Sequence, residues 1–153
     1  MGVMCSLVVA AGLSVSSLPS ASEYSVAHSL LFRTPLTQFI AESHSPVRDA
    51  RLNWNTDGCS APLVHSTGRS FDFYTACHRH DFGYRNMANI NGGKHWTLSM
   101  RRRIDSLFRT DMRADCVQRP RLTRATCRAW AETFYRAVRA RTQLATQELL
   151  RRQ

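Results

Sequence analysis

The chain lacks any apolar run near the ~20 residues that a transmembrane helix needs. Its longest candidate, Leu7 to Leu13, falls far short, so no membrane span is expected. There is no G-x-S-x-G, so nothing marks the nucleophile elbow of a serine hydrolase. Neither C-x-x-C nor H-x-x-x-H spacing occurs, which argues against a structural zinc site. No internal repeat and no strand-like alternation stands out, although Leu63-Val64 could belong to a short hairpin. Acidic residues are few: Lys and Arg total 21 against 11 Asp and Glu, a net charge of +10 carried almost wholly by Arg. That excess favours anionic partners, whether nucleic acid, acidic polysaccharide or an anionic lipid surface. Aromatics interleaved with the basic residues, as base stacking requires, are scarce around Arg101-Arg102-Arg103 and from Arg119 to Arg128. No specific nucleic-acid partner is therefore expected.

What is present fits one domain. The length is 153 residues, with 43% hydrophobic and 21% charged, an ordinary globular balance. Met1 to Ser22 carries no charged side chain; its apolar Leu7–Leu13 run leads into small residues ending Pro19-Ser20-Ala21-Ser22. This order reads as a secretory signal peptide over 1–22, cut between Ala21 and Val26, and so as a secreted, extracellular protein; an apolar N-terminal arm is the alternative. Residues 23–153 form the single domain, with 23–45 either part of it or a processed propeptide or arm.

Of five cysteines, Cys5 would leave with the leader. Cys59, Cys77, Cys116 and Cys127 remain, an even number in an exported chain, and allow three disulfide pairings. The local pairing, Cys59–Cys77 with Cys116–Cys127, closes the shortest loops and is the working model.

The expected fold class is all-α: a small disulfide-stapled helical domain built around an antiparallel pair of long helices. Helices are expected over Thr34 to Ser43 and after Pro46 (PVRDARLNW), then a turn-rich loop from Asn55 to Arg69. The segment Phe71 to Asn89 reads as a helix stopped by Asn91-Gly92-Gly93. A second long helix spans Trp96 to Cys116, with Leu98, Ile104, Leu107, Phe108 and Met112 at three- and four-residue spacings. A last helix follows Pro120, with Trp130, Phe134, Val138, Ala145 and Leu149 on its buried face.

Chemistry concentrates in Ala76-Cys77-His78-Arg79-His80-Asp81-Phe82-Gly83-Tyr84. Residues four apart share a helix face, so His80 lies with Tyr84 and Cys77 with Asp81. His80 and Asp81 point about 100° apart. One turn therefore offers a base, a hard anionic ligand and a phenol. In an antiparallel hairpin centred near Gly92, His80 lies about twelve residues before the turn and Asp105 about as far after it, so the two sit at one level. Asp105 either interrupts the apolar face to meet His80 or faces solvent beside Arg101 and Arg109. A Cys59–Cys77 bond would bring Asp57 beside Asp81, and two carboxylates forced together repel unless a cation lies between them. Carboxylates, a loop carbonyl and water suit calcium rather than zinc. His78 and Arg79 are expected on the outer surface of the helix. His28, His44, His65 and His95 show no ligand spacing.

Asp57-Gly58-Cys59-Ser60, and the string from Phe71 through Cys77-His78-Arg79-His80-Asp81-Phe82-Gly83-Tyr84-Arg85-Asn86, resemble the secreted phospholipases A2 of bacteria and fungi. The stretch Arg103 to Met112 resembles the second catalytic helix of that family. Animal and venom phospholipases A2 share the Cys-x-x-His-Asp-x-x-Tyr core, but this chain has Ala76-Cys77 in place of their doubled cysteine and a loop shortened to Asp57-Gly58-Cys59. The resemblance implies His80 as the base and Asp105 as its dyad partner. It implies calcium held by Asp57, Asp81 and the Gly58 backbone carbonyl, and the disulfides Cys59–Cys77 and Cys116–Cys127. Tyr84 either supports the dyad through its hydroxyl or fills the core. The implied activity is calcium-dependent hydrolysis of the sn-2 ester of glycerophospholipids by water, without a covalent intermediate, on membranes or micelles and by a monomer. The rival reading is a catalytically weak secreted protein of the same fold that binds membranes or anionic polymers.

Overall fold

The computed structural model describes residues 21–58 and 71–151, with side chains described as far as residue 140. Five α-helices follow one another: α1 (Glu23–Phe32), α2 (Leu36–Ser43), α3 (Tyr74–Asn89), α4 (Leu98–Gln118) and α5 (Arg124–Arg151). Short 3₁₀ turns, Ile90–Gly93 and Arg121–Thr123, precede α4 and α5. The described residues contain no strand. The apolar leader, Cys59 and the Leu63-Val64 hairpin lie outside them.

The hairpin of α3 and α4 depends on its turn. Asn91, Gly92 and Gly93 have φ of 54°, 63° and 77°, three consecutive left-handed residues. Asn tolerates this region and glycine enters it without penalty. A Cβ on Gly93 would meet the Ala88 carbonyl oxygen at 2.9 Å. Thr97 then caps α4, its hydroxyl accepting from the Met100 amide at 3.1 Å. Gly83 serves close packing: a Cβ there would meet Leu31 at 2.9 Å and Ile104 at 3.0 Å. Its lack of a side chain lets α1, α3 and α4 approach one another.

Two apolar clusters flank α3. One joins Leu31, Phe39, Trp54, Phe82, Met87 and Ile104; the other joins Phe73, Phe108, Met112, Cys116, Cys127 and Phe134. Phe82, wholly buried, contributes about 1.5–3 kcal/mol relative to an exposed ring. Cys116 and Cys127 form a disulfide with Cα atoms 5.6 Å apart, stapling the end of α4 to the start of α5. Cys77 is also disulfide-bonded.

Several sequence-based expectations need correction. The segment after Pro46 is a series of turns, not a helix. Asp49 accepts from the Arg51 amide at 3.0 Å, closing a local turn that competes with helical bonding. Trp54 donates its indole N–H to the Asp49 carbonyl at 2.8 Å, and its ring is drawn against Phe39 and Phe82. Phe71 to Phe73 precede α3 rather than open it; Asp72 accepts from the Tyr74 amide at 2.8 Å. Residues 23–32 form α1, capped by Ser22 and burying Ala27 and Leu31.

The largest correction concerns His78 and Arg79, which are buried. With α1, α2 and α4 all packed against α3, little of its circumference faces water. Arg79 donates through Nε to Asp111 at 2.9 Å, makes a second short bond from Nη2 to the same carboxylate, and reaches the Thr34 carbonyl at 2.7 Å. His78 donates through Nε2 to the Trp54 carbonyl at 3.1 Å.

Candidate active site

The register of the hairpin sets His80 against Asp105. His80 Nε2 lies 3.1 Å from Asp105 Oδ1, and Tyr84 Oη donates to the same oxygen at 2.6 Å. Asp105 is completely buried, so the solvent-facing alternative does not hold. A buried carboxylate is tolerated only where donors replace its water. His80 keeps 11% of its side-chain exposure, enough to meet a water from one side. Its ring lies against Tyr84 at 4.4 Å and Phe108 at 4.8 Å between centroids. Trp96 packs edge-on to Tyr84, so that phenol both bonds to Asp105 and fills apolar space.

Beside this network lies an oxygen-rich loop. Thr56 Oγ1 donates to Asp81 Oδ2 at 2.6 Å, and the Asp57 amide donates to the same oxygen at 3.1 Å. The Gly58 amide returns to Thr56 Oγ1 at 3.1 Å. Gly58 has φ of 63°, where L side chains are strained, so glycine suits this turn. Asp57 is mostly exposed and its carboxylate lies 3.6 Å from Arg85 Nη2. Burial pushes the Asp81 carboxyl up from its ordinary value; the Thr56 hydroxyl pulls it down, and the charge of Asp57 pushes it up again.

The chemistry of these donors fits a hard divalent cation. Two carboxylates and a loop carbonyl offer oxygen alone, and the mutual repulsion of Asp57 and Asp81 is what a bound cation relieves. Among the described residues, no three His, Cys, Asp or Glu side chains converge as a preformed cage.

Residues without an assigned role in the sequence reading brace the loop. Asn86 accepts from the Asn53 amide at 2.8 Å and donates to the Asn53 carbonyl at 2.8 Å. His78 holds the next carbonyl, that of Trp54. Helix α3 therefore carries both His80 and the anchors of the loop facing Asp81. Asn86 stands in the Tyr84-Arg85-Asn86 string, whereas Thr56 carries no sequence signal, since a lone threonine in a turn-rich loop is unremarkable.

Burial lowers the proton affinity of His78, and the nearby His44 and Arg48 lower it further, against the opposing pull of the Trp54 carbonyl and Asp81. A histidine with a depressed folded value stays neutral in the fold but gains a proton when unfolded. Its contribution is fully present above the ordinary value of 6.5 and fades as pH falls below it. The thermal midpoint is therefore expected to drop between pH 7.5 and pH 5 more for the native chain than for His78→Gln, which cannot titrate. Equal slopes for the two proteins would show that His78 is not the cause.

His28 accepts from Arg103 Nη1 at 3.1 Å, His95 stacks on Tyr24 at 3.8 Å, and neither approaches a ligand set. His65 lies outside the described residues. No helix among the described residues is long and apolar enough to cross a membrane.

A family model described as prokaryotic phospholipase A2 matches residues 27–142. The chain is 36% identical over 109 residues to a secretory phospholipase A2 of Beauveria bassiana, an alignment covering 71% of this chain and 53% of that protein. It is 31% identical over 113 residues to a secretory phospholipase A2 of Arthroderma benhamiae, covering 72% of each. The chain thus spans about half the length of the first relative.

Proposed function

The chain belongs to the prokaryotic phospholipase A2 family, and we propose that it is a secreted, calcium-dependent hydrolase of the sn-2 ester of glycerophospholipids. The observation that carries this reading is the buried Asp105 holding His80 and Tyr84 on one oxygen, with His80 the residue before the loop-facing Asp81 on α3. Both curated relatives are named secretory, which supports export of this chain.

His80 bonded through Nε2 to Asp105 keeps its proton there and leaves Nδ1 to accept one. A water placed at Nδ1 loses a proton to the ring as its oxygen bonds to the ester carbonyl carbon. Asp105 stabilises the imidazolium that forms and holds the ring in the productive tautomer, while Tyr84 fixes the carboxylate oxygen that faces it. The ring then returns the proton to the departing glycerol oxygen as the ester C–O bond breaks. Fatty acid and lysophospholipid leave, and no covalent intermediate forms on the protein. Asp57, Asp81 and the Gly58 carbonyl would hold calcium. Bound there, it supplies Lewis-acid polarisation of the ester carbonyl.

The test is fatty-acid release from sn-2-labelled phospholipid vesicles. Release is expected with calcium, is expected to fall to background in excess EGTA, and is expected to return when calcium is restored. Release that EGTA leaves untouched would remove calcium from the reading. Vesicle binding with no release by the folded protein would favour a binding role instead.

A further inference from the structure

The dyad carboxylate has a second oxygen. Its two close donors, His80 and Tyr84, share Oδ1. Oδ2 faces Arg139 on α5, whose Nη1 lies 3.4 Å away. Arg139 is 34 residues from Asp105 in sequence and comes from a helix outside the catalytic hairpin. Its side chain is mostly buried, at 22% exposure, and Asp105 is fully so.

The arginines four residues either side of Asp105 on its own helix, Arg101 and Arg109, are engaged elsewhere. Arg109 bonds to Glu132 at 2.8 Å and lies over the Tyr135 ring. Arg101 lies over the Trp96 ring at 4.7 Å. Both α5 partners of Arg109 stand one and two turns before Arg139. The same helix that draws Arg109 off thus delivers its own cation to Asp105.

A carboxylate sealed from water is tolerated where donors replace the water at its oxygens. It also needs its plane fixed, because an oxygen that swings away from Nε2 loses the tautomer control the dyad depends on. We propose that Arg139 is a positioning residue of the hydrolase: it pins Asp105 Oδ2, so that Oδ1 stays aimed at His80. This rests on the hydrolase reading above. A charge on α5 has an opposing effect, since a guanidinium nearby disfavours the imidazolium that His80 becomes. Arg139 touches Asp105 directly and His80 only through it, so its effect on the orientation of Asp105 outweighs that penalty.

The experiment compares native protein, Arg139→Met, Arg139→Lys, Asp105→Asn and the Arg139→Met/Asp105→Asn double variant. Each is assayed for kcat and KM on labelled vesicles with calcium, and for thermal midpoint. Arg139→Met is expected to lower kcat about tenfold to a hundredfold, the range found for supporting partners of site residues, with KM nearly unchanged. Arg139→Lys should recover part of that loss, since it restores a cation but not the planar fork. In the Asp105→Asn background, Arg139→Met should cost nothing further. A native-like kcat for Arg139→Met, or an undiminished loss when Asp105 is already Asn, would overturn the proposal. Should the native chain release no fatty acid, the hydrolase reading fails by itself. The thermal midpoints then decide the pairing: shifts that are non-additive in the double variant support it, and simply additive shifts overturn it.

Discussion

Asp111→Ala is expected to destabilise the fold by about 3–5 kcal/mol, because it strands the buried guanidinium of Arg79 without its anion. Both side chains are nearly sealed, at 5% and 7% exposure. Arg79 also holds the Thr34 carbonyl between α1 and α2. The pair therefore links the N-terminal helices to the hairpin at the residue before His80. Urea unfolding of both proteins measures the loss. The paired replacement Arg79→Met/Asp111→Leu should recover most of it, because an apolar pair leaves no charge to desolvate. A single Asp111→Ala within about 0.5 kcal/mol of the native chain would mean that water reaches Arg79, contrary to its burial.

His80→Ala is expected to lower fatty-acid release by at least the factor of about 10²–10⁴ typical of a lost general base, and to leave the fold in place. The ring sits at the edge of the core, with its exposed side toward solvent. Asp105 would keep Tyr84 and Arg139 as partners, so its burial remains compensated. Release by the variant and native chains under saturating calcium measures the first part; near-ultraviolet circular dichroism checks the second. Asp105→Asn should also be severe, and the double variant little worse than His80→Ala, since members of one unit are non-additive. Undiminished release from a folded His80→Ala protein would take the base away from this site altogether.

How much of this was legible in the sequence depends on distance along the chain. The pairing of His80 with Tyr84 follows from helical spacing, and its level with Asp105 follows from counting outward from Asn91-Gly92-Gly93. Both use periodicities that a few residues establish locally. The end of α4, the Pro120 break and the start of α5 carry similar local marks. Helix α1 does not: its apolar residues have almost no sidedness, so its sequence shows no face to bury. The turns after Pro46 follow from Asp49 accepting from its own neighbour and from Trp54 finding a place beside Phe39 and Phe82, and the second of these is a contact between segments distant in sequence.

The sequence by itself determined the helical class, the antiparallel hairpin, the shared face of His80 and Tyr84 and the level that His80 shares with Asp105, because each rests on helical periodicity and on the turn at Asn91-Gly92-Gly93; whether Asp105 then meets His80 or solvent was decided by its burial in the fold. Only the tertiary structure decided that His78 and Arg79 are interior, that Thr56 bonds to Asp81, and that Arg139 faces Asp105. Those contacts join segments 24 to 34 residues apart, and Arg79 is closed in by Asp111 on α4 together with the Thr34 carbonyl between α1 and α2. A residue's environment is set by what packs over it, and no periodicity in its own helix carries that information.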